Sequence, residues 1–256
     1  MSFIKSFLIA FSMYSKIPMP QFSWEDEDMQ YILGFFPLIG GVIGVITIGW
    51  YWLCSYFGIG ILCFTAIGAA IPVMISGGIH LDGFLDTMDA LHSYQNKSRK
   101  LEILKDSHLG AFAVIELVLY YLIYVGCYSE LSGTRAVLLL AGGYMLSRIF
   151  SSIGAVMLPN ARGEGMLFLF SDKAKEKMVK AMLFIELICC AAFLIYNSKT
   201  GGFVLFAGSA LTYVFYKRKS RKEFGGITGD TAGFFVTLCE GVQIVLIAGM
   251  CVINLC

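Results

Sequence analysis

The chain has 256 residues, 57% of them apolar and only 14% charged, with a mean hydropathy of +0.75. A soluble domain carries ~45–50% apolar and ~25% charged residues, so much of this surface must face hydrocarbon. A net charge of +1 gives no footing for a nucleic-acid partner.

In chain order, the first element is a short apolar run, Met1 to Tyr14. Phe3, Phe7 and Phe11 recur at i, i+4 with Ile4 and Leu8 beside them, which predicts a helix lying in the membrane interface. One basic residue, Lys5, and no small-x-small cleavage site argue against a signal peptide. A bilayer core of ~30 Å needs about 20 apolar residues per helix. Candidate spans follow at 31–56, 58–76, 111–128, 135–158, 179–196, 201–216 and 231–254. The expectation is an all-α, polytopic integral membrane bundle of about seven transmembrane helices. No Pro/Ser-rich linker interrupts it, so 1–256 reads as a single membrane-embedded catalytic domain.

Orientation follows from Lys and Arg. With the N-terminus inside, the inner loops are 1–30, 77–110, 159–178 and 217–230, and only Arg135 and Lys199 fall on or beside an outer loop. Arg148 lies within the fourth span, and every other Lys and Arg is inside, including Lys217, Arg218, Lys219, Arg221 and Lys222 in one run. This pattern predicts a multi-pass protein of the cell (inner) membrane whose polar loops face the cytoplasm. Those basic residues serve equally well as topology signals alone.

The same parity puts every polar constellation on one face. Immediately after the second span comes Gly77-Gly78-Ile79-His80-Leu81-Asp82-Gly83-Phe84-Leu85-Asp86-Thr87-Met88-Asp89. On a helix Asp86 is displaced by ~40° from Asp82, and Asp89 by ~20° the other way, so the three carboxylates share a stripe. Like charges so placed repel unless a cation sits between them. Oxygen ligands suit Mg²⁺, with Mn²⁺ as the alternative. No Lys or Arg within the helix offsets the stripe, although an acidic solvated face is the simpler reading. His80 stands ~200° from Asp82 and is a candidate to orient a ligand or bind phosphate, or to pack.

Asp106-Ser107-His108-Leu109-Gly110 precedes the third span, where Asp106 either caps that helix or brings a fourth carboxylate to the stripe. Arg148 is expected either to pair with one of the intramembrane glutamates Glu116, Glu186 or Glu240 or to reach an anionic substrate. Thr228-Gly229-Asp230 opens the last span, and a helix N-terminus flanked by glycines binds phosphate well. The eight cysteines show no CxxC or Cys–His spacing, so they read as small packed hydrophobes.

Together these runs closely resemble the cobalamin synthase family, membrane-bound adenosylcobinamide-GDP ribazoletransferases. The resemblance covers nearly the whole chain and rests on His80-Leu81-Asp82-Gly83 with Asp86 and Asp89, then Asp106-Ser107 with Gly110, and Arg148. Pro159 with Arg162 and Gly165, and Gly226-x-Thr228-Gly229-Asp230-x-x-Gly233 ending at Glu240, complete it in order. Lys16 and His108 stand where the family usually carries Arg. The resemblance implies transfer between adenosylcobinamide-GDP and α-ribazole (or its 5′-phosphate) with release of GMP, the last assembly step of cobalamin. It implies Asp82, Asp86 and Asp89 as Mg²⁺ ligands and Asp82, Asp106 and Asp230 as catalytic carboxylates. His80, Arg148, Arg162, Thr228, Gly229 and Glu240 would bind the nucleotide and phosphate groups. Expected partners are these two small substrates and the lipid bilayer, and a homo-oligomer is compatible with the sequence. A CDP-alcohol phosphotransferase is the alternative, but Asp82-Gly83 lacks the Ala-Arg that its motif requires. A transporter would instead gather its ionisable groups near the midplane.

Overall fold

A computed structural model describes residues 2–106 and 108–255; Met1 and Ser107, named above, lie outside the described residues, as does Cys256. Among the described residues there are eleven α-helices and no strand. They are α1 (Ser2–Tyr14), α2 (Ile32–Phe57), α3 (Ile61–Ser76), α4 (Ile79–His92), α5 (Lys97–Ile103), α6 (Ala111–Ser129), α7 (Gly133–Met157), α8 (Met166–Asp172), α9 (Glu176–Asn197), α10 (Lys199–Phe224) and α11 (Gly229–Val252). Five of them, α2, α6, α7, α9 and α11, have the length and apolarity to cross a membrane, which makes the chain a multi-pass helical membrane protein. A sixth crossing comes from α3 and α4 only if they count as one span, and they are bent by 93° to each other. The expected count of about seven is therefore lowered among the described residues. The last candidate, 201–216, forms the bulk of α10, which is 26 residues long, but Gly, Ser, Thr and Tyr dilute its apolar stretch.

Burial ranks these helices. Most of α7 is buried, so it is the central post, while α6 and α9 are mostly exposed and form the lipid-facing rim. Between α2 and α7 the backbones nearly touch. A Cβ on Gly44 would come within 2.7 Å of the Ala141 carbonyl oxygen, and one on Gly40 would strike the Tyr144 carbonyl. Small residues four apart let helices approach closely in a membrane, where dispersion contacts replace the hydrophobic effect as the cause of association.

The short N-terminal helix does form, but its phenylalanine face is not free for lipid. Phe7 stacks edge-on against Phe35 at 5.5 Å and Phe3 against the same ring at 4.7 Å, docking α1 on α2. Lys5 clamps the following loop through Asp28 at 2.9 Å.

The four segments expected on one membrane face do meet at one end of the bundle. Lys16 donates its backbone N–H to Ile75 at 2.7 Å, and Lys175 donates to Gln30 at 3.1 Å. Lys173 pairs with Asp26 at 2.7 Å, Lys105 pairs with Glu164, and the buried Lys100 pairs with Glu223 at 2.6 Å. Ile227 and the Pro159–Ala161 segment exchange backbone hydrogen bonds of 2.9 and 2.8 Å, a parallel bridge that straps the α7–α8 loop to the entrance of α11.

Candidate active site

The site is built on the break between α3 and α4. Gly77 and Gly78 both take left-handed backbone angles, φ 68° and 84°, which side chains with a Cβ rarely adopt. Two such residues in succession turn the chain through 93°. Helix α4 therefore leaves the direction of the span and lies against the first turns of α11.

Glycine also fixes how close these two helices come. A Cβ on Gly83 would sit 2.6 Å from the Asp230 carbonyl oxygen, and one on Gly233 would sit 3.1 Å from that of His80. Phe84 stacks on Phe234 beside this crossing, with ring centroids 5.7 Å apart. The crossing sets Asp82 and Asp230 on the wall of one cavity. Asp89 lies farther along α4, its carboxylate packed against Gly110 where the chain enters α6.

Asp86 reports the electrostatics. Burial first, then the carboxylates of Asp82, Asp230 and Asp89, push its carboxyl up to about 7, with the Arg162 guanidinium pulling the other way. Four carboxylates thus share one neighbourhood with a single nearby cation. Arg162 reaches Asp230 at 3.3 Å and donates to the Leu101 carbonyl at 3.1 Å. Its own backbone N–H is held by Asn160 Oδ1 at 2.9 Å, inside the strapped loop. Thr228 caps α11 by accepting from the Thr231 N–H at 3.2 Å, and Gly229 follows it on the cavity wall. This is the helix entrance expected to receive phosphate.

His80 is buried, and its Nε2 has no hydrogen-bond partner among the described residues. Burial, then the Arg148 guanidinium, hold its pKa well below the usual imidazole range.

Two expectations come out differently. Asp106 does not join the stripe: it is exposed and accepts from His108, at 3.0 Å from the backbone N–H and 2.7 Å from Nδ1. Gly110, where the chain enters α6, lies beside Asp89 instead. Arg148 and Glu240 do not face the carboxylate cavity. They form a buried ion pair of 2.6 Å between α7 and α11, and Arg148 also donates to the Tyr144 carbonyl at 2.8 Å. Pairing was one of the two options open to Arg148, and it is the one the structure shows. Glu186 has a buried Oε2 without a hydrogen-bond partner, and Glu116 lies 3.6 Å from His92.

Sequence reasoning passed over Ser152, Tyr14 and Phe36, which line the same cavity. The available signal was Ser151-Ser152, two adjacent hydroxyls inside an apolar span one turn beyond Arg148.

Among the described residues no three His, Cys, Asp or Glu side chains are grouped so as to hold a metal ion by themselves. An open site suits the donor set better. Mg²⁺ is commonly held by one or two carboxylates, with substrate phosphates and water completing its shell. The excess negative charge around Asp86 is the feature that such a cation would offset.

Comparison with known proteins agrees with this picture. The family model for cobalamin-5-phosphate synthase matches residues 6–248. An adenosylcobinamide-GDP ribazoletransferase from Lachnoclostridium phytofermentans is 38% identical over 253 residues, covering 99% of this chain and 95% of the relative. Proteins of the same name from Clostridium botulinum and Clostridium perfringens are 31% and 29% identical, over 92% and 96% of this chain and 94% and 98% of their own. No solved structure matches. A match across nearly the whole length, together with an acidic site at one end of a helical membrane bundle, establishes that the chain belongs to the cobalamin-5-phosphate synthase family.

Proposed function

We propose that this protein is an adenosylcobinamide-GDP ribazoletransferase. It joins adenosylcobinamide-GDP to α-ribazole, or to α-ribazole 5′-phosphate, and releases GMP. A ribose hydroxyl oxygen forms a bond to the phosphorus that carries the cobinamide arm. The bond from that phosphorus to the bridging oxygen of the pyrophosphate breaks, and the electron pair leaves with GMP. The hydroxyl proton passes to a carboxylate or to water.

The observation that carries this reading is the shared neighbourhood of Asp82, Asp86, Asp89, Asp230 and Arg162 beside a phosphate-ready helix entrance. Phosphoryl transfer depends mainly on positioning and on offsetting charge. Asp82, Asp86 and Asp89 would hold Mg²⁺, or Mn²⁺ in its place. When bound, the cation neutralises charge on the pyrophosphate oxygens. Arg162 and the Gly229 N–H would bind phosphate oxygen, and Asp230 would accept the hydroxyl proton while Arg162 orients it. Asp106, exposed and turned toward His108, has no part in this scheme. The basic residues at the same end of the bundle favour a cytoplasmic orientation in the cell membrane.

The test is GMP release from proteoliposomes given adenosylcobinamide-GDP, α-ribazole 5′-phosphate and Mg²⁺. Wild type should need both substrates and the metal, and Asp82→Asn should lose ~10²–10³-fold in turnover while melting normally. Folded wild type that releases no GMP would sink the reaction. An undiminished Asp82→Asn would sink the account of the site.

A further inference from the structure

Beside the carboxylates lies a cavity of about 280 Å³. Part of its wall is the site just described. The rest comes from α1, α2, α7 and the start of α8; its α1, α2 and α7 side is mostly apolar, with Leu33, Phe36 and Ala155 beside the hydroxyls of Ser151 and Ser152, and Glu164 lies at the α8 edge. Three rings run in sequence along this wall: His80 lies 5.5 Å from Phe36, and Phe36 lies 4.6 Å from Tyr14. Away from the carboxylates, the wall carries two buried polar atoms without a partner among the described residues, Ser152 Oγ and His80 Nε2. Ser152 is 1% exposed and His80 8%. Buried hydroxyls are nearly always hydrogen-bonded in native proteins, so an orphan on a cavity wall marks a place that a ligand completes.

We propose that this cavity seats the base of the ribazole substrate, with the Ser152 hydroxyl donating to the free ring nitrogen of that base. The proposal rests on the ribazole-transfer reading of the adjoining site. A corrin is far larger than this space, whose volume falls just below the ~300–1,000 Å³ range of ligand pockets. A flat bicyclic base fits that scale. Chemistry then separates the two bases in the reaction. The benzimidazole of α-ribazole is apolar except for one ring nitrogen with a free lone pair, which a single donor satisfies. Guanine presents donors and acceptors along several edges, and the side lined by Leu33, Phe36 and Ala155 would leave most of them unmatched. Position agrees as well, because a base held against α7 directs its ribose toward Asp82, Asp230 and Arg162, where the hydroxyl must react.

The experiment is equilibrium binding of labelled α-ribazole to the purified full-length protein in lipid nanodiscs, read without turnover. Ser152→Ala should weaken α-ribazole roughly three- to tenfold, leave adenosylcobinamide-GDP binding unchanged and melt like wild type. Free 5,6-dimethylbenzimidazole should compete with the label on wild type and guanosine should not. Ala155→Leu, which fills the cavity, should abolish α-ribazole binding and spare the other substrate. Competition by guanosine, with lost affinity for adenosylcobinamide-GDP in the variants, would give the cavity to guanine and overturn the proposal. Equal affinities in wild type and both variants would overturn it too. If α-ribazole binds as expected but no GMP is ever released, the transferase reading fails and the cavity assignment stands.

Discussion

Helix α11 carries two acidic groups in very different settings. Near its start, Asp230 shares its surroundings with the α4 carboxylates and a single arginine. About three turns later, Glu240 is buried and matched one-to-one by Arg148. The first region has more negative charge than its neighbours offset and opens on a cavity. The second is balanced and buried. A balanced buried pair accounts for itself within the fold, whereas an unbalanced cluster needs something from outside. Charge excess, not burial or acidity alone, separates a candidate for chemistry from a fastener between helices.

Replacing one partner of the buried pair should have the largest effect. Glu240→Leu leaves Arg148 uncompensated in the bundle and should cost ~3–5 kcal/mol of stability, measured by thermal unfolding in detergent. The double variant Arg148→Met with Glu240→Leu should recover most of that loss. An Arg148→Met protein that melts normally but cannot bind adenosylcobinamide-GDP would return Arg148 to the substrate and erase the contrast. Asp82→Asn comes next and should behave oppositely, losing turnover while its melting temperature is unchanged.

Gly83→Ala tests the crossing itself. The added carbon meets the Asp230 carbonyl at 2.6 Å, and such overpacking costs ~1–3 kcal/mol. The shift it forces separates Asp82 from Asp230, so turnover per folded molecule should also fall. Gly40→Ala meets backbone just as closely between α2 and α7, yet should cost stability alone. Equal losses of turnover in the two would mean that the site tolerates no distortion anywhere in the bundle.

The smallest expected effect concerns pH. Asp86 has its folded pKa raised from 3.8 to about 7. In EDTA its contribution to stability should be fully present below pH 3.8, decline above it and be lost as pH passes about 7. Asp86→Asn should flatten that decline in melting temperature, and Mg²⁺ should raise the wild-type value at pH 8 more than the variant's. A wild-type profile that rises over the same interval would show the carboxylates are not crowded.

What the sequence disclosed and what it withheld follow a physical division. The aspartate stripe and the Thr228–Asp230 cap were legible because each is a spacing within one helix, fixed by the helical period. Convergence of four loops was legible from the parity of spans and the placement of Lys and Arg. The pairing of Arg148 with Glu240 was open, because it depends on the rotation of two helices about their axes. That rotation is set by packing such as the glycine contact of α4 with α11. Asp106 faces His108 in a loop, where no helical period says which way a side chain turns. Ser152 passed unnoticed because a hydroxyl in a span is usually satisfied by its own helix, and only the cavity reveals that this one is not.

The placement of Asp230 on α11 also bears on how the protein is made. The stripe on α4 emerges early from the ribosome, while the helix that completes its surroundings follows all the other spans. At ~5–20 residues per second, that interval is on the order of ten seconds. Throughout it the nascent chain displays its acidic stripe without Arg162, Thr228 or Asp230 fully in place. Activity therefore has no partial precursor: a chain stopped before α11 inserts would carry the stripe and lack the site.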